Sequence, residues 1–277
     1  MYAAARMSST APVLDPSAAE SPPPPLKWAG GKRWLVPHLR TLFAGVGERR
    51  LVEPFAGGLA VALGLHPRRA LLADINPHLI NFYRWLQHGL ELTIPLRNAR
   101  ASYYRRREEF NRLITTGSAE TAEGAALFYY LNRTGYNGLC RFNSRGLFNV
   151  PFGRYTTINY TRDFSPWRRA LREWRFICGD FEAMPRRAGD FLYADPPYDV
   201  PFRRYAGNDF TWEDQLRLAH WLRAHRGPVV ASNQATPRVL ELYRGLGFTV
   251  RTVPAPRMIS CTGDRAPALE MIATLGL

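Results

Sequence analysis

The sequence Asp-Pro-Pro-Tyr at residues 195–198 has the clearest potential for chemistry, and it directly follows the apolar run 191–194. Two consecutive prolines cannot continue a central strand, because neither can donate a ladder hydrogen bond. The chain must therefore leave the sheet there, presenting a carboxylate, two carbonyls and an aromatic ring at the carboxyl edge, where open α/β sheets bind ligands. These groups suit a flat ring with an exocyclic amino group, such as adenine or cytosine. A simple turn after a buried strand would also use Asp-Pro and remains the alternative.

Two glycine-containing segments have the character of a ligand pocket. Residues 27–32 (Lys-Trp-Ala-Gly-Gly-Lys) place two glycines before a predicted helix, and residues 53–58 (Glu-Pro-Phe-Ala-Gly-Gly) run from a strand into a helix. Glycine permits close backbone approach to a ligand, and a helix start offers N–H donors to a carboxylate. The sequence lacks the Gly-Lys-Ser/Thr of a phosphate loop, so a phosphate cradle is not expected.

Asp74 ends the second predicted strand, 21 residues after Glu53. An acidic residue at this place is well positioned to bind ribose hydroxyls, although it would also serve as the cap of the following helix. Together with the glycine segments, it predicts an adenosine ligand without a phosphate tail.

The elements that must position these residues alternate between short apolar runs and amphipathic helical patterns. Alternation of this kind predicts an α/β fold with a mostly parallel, doubly wound sheet of seven strands. Thr211 and Asp214 predict a capping box at the start of one helix. Strands are predicted near 51–55, 71–75, 175–179, 190–194, 228–232, 248–253 and 269–275, and helices near 32–43, 58–65, 77–88, 96–114, 122–131, 212–225 and 236–245.

Residues 95–174 break the alternation and concentrate positive charge. From Arg97 to Arg175 there are 15 arginines against six acidic residues, a net charge of +9 out of +14 for the chain. An inserted, basic, mainly helical module between the second and third strands is the simplest interpretation. Residues 26–94 and 175–277 then form the catalytic domain, and residues 1–25, rich in Ser and Pro, are predicted to be a disordered leader.

The charge and the cysteines narrow the function class. Lys27 and Lys32 are the only lysines, so arginine supplies nearly all of the positive charge. Arginine binds phosphates and guanine edges bidentately, which predicts a polyanionic partner, although genomic base composition also enriches arginine. Cys140, Cys178 and Cys261 are too widely spaced for a zinc site or a disulfide framework and fit a reducing compartment. No run approaches the roughly 18 apolar residues of a membrane span, so we expect a cytoplasmic protein.

Seven segments, in order, resemble the Dam-like family of DNA adenine-N6 methyltransferases, the D12 class. The resemblance covers residues 26–277, and the order of cofactor, recognition and Asp-Pro-Pro-Tyr motifs is similar to that of the α group. The segments are 27–32, 53–58, 72–77, 130–133, 135–141, 148–155 and 195–198.

The resemblance implies a Rossmann-like domain that uses S-adenosyl-L-methionine and releases S-adenosyl-L-homocysteine. It assigns the methionine end of the cofactor to the segment around Lys32, the ribose to Asp74 and the adenine to the turn after the third strand. Asp195 would border both the cofactor and the target base. The implied cofactor-binding residues are Trp28, Gly30, Gly31, Lys32, Phe55, Gly57, Asp74, Asp180, Phe181 and Asp195.

The resemblance assigns catalysis to Asp195, Pro196, Pro197 and Tyr198. The exocyclic nitrogen of adenine is a poor nucleophile, because its lone pair is delocalised into the ring. The Asp195 carboxylate and the Pro196 carbonyl can accept its two N–H bonds and direct its lone pair at the methyl group. Tyr198 would stack on the base, which must be flipped out of the duplex. No metal is needed for this chemistry.

The predicted insert would read double-stranded DNA, and the family combination implies the site 5′-GATC-3′. Arg141 is the candidate for a bidentate guanine contact, and Leu139 and Pro151 could pack on a thymine methyl group. Leu139, Pro151 and Phe152 could instead form the small core of the insert. The predicted DNA-binding residues are Tyr136, Asn137, Leu139, Arg141, Pro151, Arg154 and Tyr155. The segment 258–265 departs from the family pattern and has no assigned role. We expect a monomer without an obligate protein partner.

Other classes fit less well. A cytosine-N4 methyltransferase usually carries Ser-Pro-Pro where this chain has Asp195. A cytosine-C5 enzyme needs a Pro-Cys nucleophile, whereas Cys140, Cys178 and Cys261 follow Leu, Ile and Ser. An RNA or protein amino-methyltransferase remains open on the Asp-Pro-Pro-Tyr motif alone, but would not need the segment 135–155. A non-catalytic DNA-binding module would not need the full set of cofactor motifs.

Overall fold

The computed structural model describes residues 21–199, 210–256 and 268–277. Its strands are β1 (Leu51–Glu53), β2 (Ala70–Asp74), β3 (Trp174–Cys178), β4 (Phe191–Ala194), β5 (Val229–Gln234), β6 (Thr249–Ala255) and β7 (Ala268–Leu275). Its α-helices are α1 (Val36–Ala44), α2 (Ala60–Leu65), α3 (Pro77–His88), α4 (Arg100–Thr115), α5 (Ala122–Thr134), α6 (Ser165–Ala170), α7 (Trp212–Arg223) and α8 (Pro237–Gly245). Short 3₁₀ helices lie at Arg33–Leu35, Tyr136–Gly138 and Phe181–Ala183.

The strands form one seven-stranded sheet in the order β3-β2-β1-β4-β5-β7-β6. The first five strands in this order, β3 to β5, are parallel to one another. β7 lies between β5 and β6 and pairs antiparallel with both. The predicted seven-stranded, mostly parallel α/β sheet is therefore confirmed. The antiparallel insertion of β7 brings the beginning of that strand, rather than its end, to the carboxyl edge of β4 and β5.

Alternate residues of the central strands build a core on each face of the sheet. Leu51 and Leu72 pack with α1, α2, α3 and α5, whereas Val52 and Leu71 pack with α7 and α8. All four side chains are essentially inaccessible to solvent. Such double burial explains why these strands read as continuous apolar runs rather than as alternating ones.

The segment between β2 and β3 shares the first of these cores. α5 packs along α3, and the buried Asn81 of α3 donates hydrogen bonds to the carbonyls of Ala119 and Thr121, just before α5. Tyr129 of α5 stacks on Phe82 of α3. The basic segment is thus anchored firmly to the sheet through α3.

The predicted helix bounds differ from the structure where local backbone geometry intervenes. α2 begins at Ala60 rather than 58, because Leu59 adopts a left-handed conformation with φ of 61°. The helix predicted from residue 32 begins as a 3₁₀ turn, and α6 was not predicted. α3 matches its predicted range 77–88, and both bonds of the capping box between Thr211 and Asp214 are present, as predicted.

The chain approaches the sheet along the proline-rich segment. Trp167 Nε1 of α6 donates to the Pro23 carbonyl at 2.8 Å, and Leu26 is buried. Residues 1–20 of the predicted leader and the segment 258–265 lie outside the described residues. None of the described helices is long and apolar enough to cross a membrane.

Candidate active site

The carboxyl ends of β1, β4 and β5 meet where the winding of the sheet reverses. β2 and β3 extend from one side of β1, whereas β4 and β5 extend from the other. Doubly wound sheets bind ligands in the crevice at this switch point. Residues 195–198 leave β4 there, and residues 54–59 leave β1 beside them.

Asp195 is largely buried in an ionic hydrogen-bond network. Lys32 Nζ lies 2.7 Å from its Oδ1 and 2.8 Å from its Oδ2, and Ser232 Oγ donates to Oδ1 at 3.1 Å. The Ser232 hydroxyl also contacts the Tyr193 hydroxyl at 2.8 Å. Burial raises the pKa of Asp195, whereas Lys32 and Ser232 lower it. Partners from β5 and from the first glycine segment thus fix this carboxylate in one orientation.

The remainder of the Asp-Pro-Pro-Tyr segment is held from α7, β5 and β7. Gln215 Nε2 donates to the Pro197 carbonyl at 2.8 Å, and Asn233 Nδ2 donates to Gln215 Oε1 at 3.0 Å. Both amide side chains are buried. The Tyr198 hydroxyl donates to Glu270 Oε2 at 2.7 Å. A segment without regular secondary structure is therefore fixed by side chains on regular elements, which favours preorganisation.

Lys32 is the buried cation of this site. Besides Asp195, its Nζ lies 3.6 Å from Glu270 Oε1, 3.4 Å from the Gly30 carbonyl and 4.7 Å from the centre of the Tyr198 ring. One ammonium group is therefore shared by two carboxylates that are themselves largely buried. A buried charge is tolerated only when it is paired in this way.

The two glycine segments lie against each other. A Cβ atom on Gly57 would lie 2.8 Å from Trp28 Nε1, and one on Gly58 would lie 2.7 Å from Trp28 Cβ. Gly57 has φ of 43°, and its carbonyl accepts a hydrogen bond from the buried Tyr83 hydroxyl. The absence of side chains at both glycines thus permits Trp28 to pack on this turn, as an indole wall of the crevice.

Two acidic residues end the strands beside this turn. Asp74 Oδ2 accepts from the Gly57 backbone N–H at 3.1 Å, and its Oδ1 accepts from the Asn76 N–H at 3.0 Å. The helix cap itself is Asn76. Glu53 is 3% exposed, and its Oε2 has no hydrogen-bond partner among the described residues. Burial raises the pKa of both carboxyls, and for Glu53 the nearby Asp195 raises it further. Ile75, next to Asp74, is 63% exposed.

The turn after β3 is fixed by an arginine. Asp180 Oδ1 accepts from Arg217 Nη2 at 3.1 Å, and the Arg217 guanidinium also lies 5.0 Å from the centre of the Phe181 ring. Phe181 is 2% exposed and packs against Phe55 with ring centroids 5.9 Å apart. The Phe181 ring therefore belongs to the core, while Asp180 is exposed beside it.

The predicted recognition residues lie on both sides of a tight turn, in two segments that isolated antiparallel bridges connect, between Gly135 and Phe152 and between Phe142 and Phe148. Tyr136 donates its backbone N–H to the Pro151 carbonyl at 2.9 Å, and its side chain is 48% exposed. Arg141 Nε donates to Asn149 Oδ1 at 2.8 Å, which orients the guanidinium plane. Leu139 and Phe152 are partly buried and pack against the core of the sheet, whereas Pro151 is exposed. Of the predicted DNA-binding residues, Tyr136, Asn137, Pro151 and Arg154 are exposed, and Leu139, Arg141 and Tyr155 are partly exposed.

The first glycine segment is tied directly to the recognition segment. The buried Asn132 of α5 accepts from the Lys27 backbone N–H at 2.9 Å and donates to the Lys27 carbonyl at 2.8 Å. Lys27 Nζ donates to the Arg133 carbonyl at 3.0 Å and lies 3.5 Å from the centre of the Tyr155 ring. The two predicted binding regions are thus adjacent, and they share a backbone clamp.

Two of the three cysteines, Cys140 and Cys178, lie in the part of the chain that the structure describes. Among the described residues, no group of three or more His, Cys, Asp or Glu residues could hold a metal ion. Burial raises the pKa of the Cys140 thiol to about 12, and burial also raises the pKa of Cys178. Neither thiol is activated as a nucleophile needs to be.

Several site residues were not predicted from the sequence. Ser232 and Asn233 could have been identified from the sequence, since they are polar residues at the end of the apolar strand β5. Glu270 is a single charge within an otherwise apolar strand, which is a weaker signal. Gln215 looks like an ordinary polar helix residue and had none. The residues missed are Gln215, Ser232, Asn233 and Glu270.

Comparison with known proteins gives a consistent result. Residues 28–258 match the family described as D12 class N6 adenine-specific DNA methyltransferase. The chain is 38% identical to the retron Ec67 DNA adenine methylase of Escherichia coli over 268 residues, which cover 91% of this chain and 90% of that protein. It is 37% identical to the DNA adenine methylase of Escherichia coli strain K12 over 269 residues, covering 90% and 94%. It is also 38% identical to the DNA N-6-adenine-methyltransferase of Escherichia phage P1, covering 90% of this chain but 35% of the longer phage protein.

Proposed function

The chain belongs to the D12 class of N6 adenine-specific DNA methyltransferases, and from this premise we propose that it transfers the methyl group of S-adenosylmethionine to a flipped-out adenine in duplex 5′-GATC-3′. The observation that carries the proposal is the buried Lys32–Asp195 pair at the switch point of the sheet. It presents the carboxylate of the Asp-Pro-Pro-Tyr segment beside the crevice that the glycine turns form.

We assign the cofactor to the crevice between the two glycine segments. Trp28 and the backbone of Gly57 would line it, Lys32 would bind the methionine carboxylate and Asp74 would accept from the ribose hydroxyls. Asp180 and the backbone of Phe181 would hold the adenine, with the exposed Ile75 against its face. Gly30, Gly31 and Phe55 complete the proposed wall, and Asp195 borders it.

Glu53 supports the fit of this cofactor. Its buried Oε2 lacks a hydrogen-bond partner among the described residues, and a buried unpaired carboxylate oxygen is costly. A cationic amino group, such as that of a methionine moiety, would satisfy this oxygen and offset the charge. Glu53 therefore joins the proposed cofactor-binding residues, although the sequence pattern alone gave it no such role.

Once bound, S-adenosylmethionine supplies an electrophilic methyl group. The chain's own contribution is to prepare the adenine nitrogen. We propose that the Asp195 carboxylate and the Pro196 carbonyl accept hydrogen bonds from the two N–H groups of the adenine amino nitrogen. These bonds localise the nitrogen lone pair and direct it towards the cofactor. The Pro197 carbonyl, held by Gln215, fixes the backbone of the segment, and Tyr198 supplies the stacking face.

DNA reading is assigned to the basic segment 95–174. Its charge supports binding to phosphates, and the exposed side chain of Tyr136 lies next to the clamp at Lys27. We propose that Arg141, oriented by Asn149, contacts a guanine, that Leu139 and Pro151 contact a thymine methyl group, and that Tyr136 and Asn137 enter the gap left by the base. Arg154 and Tyr155 are assigned to phosphate or base-edge contacts.

The proposal also assigns the domains, the cellular compartment and the oligomeric state. Residues 26–94 and 175–277 are assigned to methyl transfer and residues 95–174 to target recognition. The relatives are bacterial and phage DNA methylases, which supports action on DNA in a bacterial cytoplasm. A monomer suffices, because cofactor, catalytic and recognition residues are all supplied by one chain.

The cofactor assignment predicts a local effect at Gly58. We expect Gly58→Ala to weaken S-adenosylmethionine binding at least about tenfold, because the new Cβ atom would lie 2.7 Å from Trp28 Cβ and displace the indole. Isothermal titration calorimetry measures this directly. Gly245→Ala is the matched control, since a Cβ atom there meets nothing within 4 Å. Unchanged affinity in Gly58→Ala would remove Trp28 from the proposed pocket.

The proposed reaction is tested with labelled S-adenosylmethionine and unmethylated duplexes that contain GATC, beside matched duplexes in which one base of the site is changed. We expect label on the GATC adenine, with Arg141→Ala losing about 10- to 100-fold of its discrimination at the guanine. An Arg145→Ala variant, at the exposed tip of the same turn, is the control.

The outcomes of this experiment separate the parts of the proposal. Label on adenines in other sequences would retain the reaction and refute the GATC assignment. Unaltered discrimination in Arg141→Ala would refute only the role of that arginine. No label on any duplex DNA, in a protein that binds the cofactor, would refute the proposed reaction.

A further inference from the structure

Glu270 is a buried carboxylate that comes from outside every motif of the sequence. It lies near the start of β7, opposite Gln234 of β5 and Val253 of β6. Because β7 runs antiparallel to β5, this start is at the carboxyl edge of the sheet. The residue is 2% exposed, although a charged side chain in a strand normally points to solvent.

Both oxygens of Glu270 face the Asp-Pro-Pro-Tyr segment. Its Oε2 accepts the Tyr198 hydroxyl at 2.7 Å. Its Oε1 lies 3.6 Å from Lys32 Nζ, which is beyond hydrogen-bond length, and has no hydrogen-bond partner among the described residues. The same ammonium group is 2.7 Å from Asp195 Oδ1. Glu270 therefore forms a hydrogen bond with Tyr198. It also competes with Asp195 for the ammonium group of Lys32.

We propose that Glu270 is a positioning residue for methyl transfer: it fixes the Tyr198 ring through its hydroxyl and, while ionised, shares Lys32 with Asp195. This inference rests on the proposed roles of Asp195 and Tyr198.

The hydroxyl contact has a direct geometric consequence. A tyrosine at the edge of a loop can rotate about its side-chain bonds, and a rotated ring no longer presents its face to a base. Anchoring the hydroxyl to a strand residue removes that freedom before substrate arrives, which lowers the entropic cost of a productive complex.

The shared ammonium has an electrostatic consequence. An ammonium held by Asp195 alone would neutralise that carboxylate and weaken it as an acceptor for the adenine amino group. A second carboxylate 3.6 Å away attracts the same ammonium and leaves Asp195 more negative. Ionised Glu270 would thus raise the rate of transfer.

The groups around Glu270 favour a change in its ionisation near neutral pH. The titratable groups that face it in the described structure are Lys32, Asp195, Tyr198 and the buried Tyr193, while its register neighbours Gln234 and Val253 are uncharged. Burial raises the pKa of Glu270 to about 7, Asp195 raises it as well, and Lys32 and Tyr198 lower it. Activity should therefore fall as pH drops through about 7 and this carboxylate takes up a proton.

The test compares Glu270→Gln with the parent over the pH range from about 5.5 to 9, by single-turnover methyl transfer at saturating S-adenosylmethionine and DNA. Glutamine keeps an oxygen that can accept from Tyr198 but carries no charge, so it imitates the protonated form. We expect its rate at pH 8 to be lower by about 10- to 100-fold and to show no decrease below about pH 7. The KM for DNA, measured separately in the steady state, should be nearly unchanged. Glu241→Gln, at an exposed position of α8, is the matched control and should behave as the parent.

A second variant isolates the hydroxyl contact. Tyr198→Phe keeps the ring and removes the donor, so we expect a reduced rate that still decreases below about pH 7. The inference would be overturned if the methyl-transfer rate of Glu270→Gln still decreased below about pH 7, or if it equalled the rate of the parent. Methyl transfer that survives in Asp195→Ala would instead refute the proposed catalytic segment, so the two failures are distinguishable.

Discussion

Replacement of Asp195 by alanine is expected to lower the rate of methyl transfer by at least about 10³-fold. Preorganised groups aimed at a developing charge each contribute about 10²- to 10³-fold. Asp195 combines this function with orientation of the adenine nitrogen, and no other described carboxylate is held in the same position by both Lys32 and Ser232. The loss should appear in the chemical step and not only in binding.

Asp195→Ala also leaves Lys32 with a more distant partner, Glu270, at 3.6 Å. A less disruptive variant, Asp195→Asn, retains the shape and one acceptor oxygen and should lose about 10²- to 10³-fold. Both are measured by rapid-quench single-turnover transfer, with circular dichroism and S-adenosylmethionine affinity to verify the fold and the cofactor site. Folded Asp195→Ala that binds cofactor and retains more than about a tenth of the parent's rate would exclude Asp195 from catalysis.

Replacement of Lys32 by methionine is expected to reduce both stability and cofactor binding. Lys32 is 4% exposed, and its ammonium group pairs with two largely buried carboxylates. Removal of one partner from a buried ionic cluster costs about 3–5 kcal/mol, because the remaining charge is left unpaired. The proposed partner of the methionine carboxylate is lost in the same step, so we expect cofactor affinity to fall at least about tenfold.

The stability loss should depend on pH, with a definite sign. Burial raises and Lys32 lowers the pKa of both Asp195 and Glu270. Without Lys32, the pKa of each carboxyl in the folded state rises further above its unfolded value. The folded protein then retains protons that the unfolded chain releases, so stability is highest below the unfolded pKa and is lost as pH rises through the folded values. The difference between parent and Lys32→Met should therefore increase as pH rises through about 7, where Glu270 ionises in the parent.

Urea unfolding at several pH values measures this effect. Arg33→Met is the matched control, since Arg33 is the exposed basic residue next in the chain. We expect it to change the free energy of unfolding by less than about 0.5 kcal/mol at any pH. A penalty for Lys32→Met that is independent of pH would show that the two carboxylates do not depend on this ammonium group.

Local sequence features determined most of the secondary structure. All seven strands lie at or near their predicted positions. The central strands β1, β2, β4 and β5 are apolar runs, because burial on both faces requires uninterrupted apolar side chains. α3 begins and ends as predicted since Asn76 caps it, Pro77 begins it and Gly89 adopts φ of 99° after it. Asp195 and the glycine turns were also identifiable, because proline restricts the backbone and glycine permits conformations that other residues avoid.

The tertiary structure alone decided which side chains surround residues 195–198 and Lys32. Ser232, Gln215 and Glu270 come from β5, α7 and β7, which are far from these residues in the chain. Glu270 reaches the site only because β7 runs antiparallel between β5 and β6, and residue periodicity does not encode the direction of a strand. The residue types and spacings thus determined the fold class and identified the candidate reactive segment. The electrostatics of that segment depend on contacts between distant residues, which are established only when the sheet assembles.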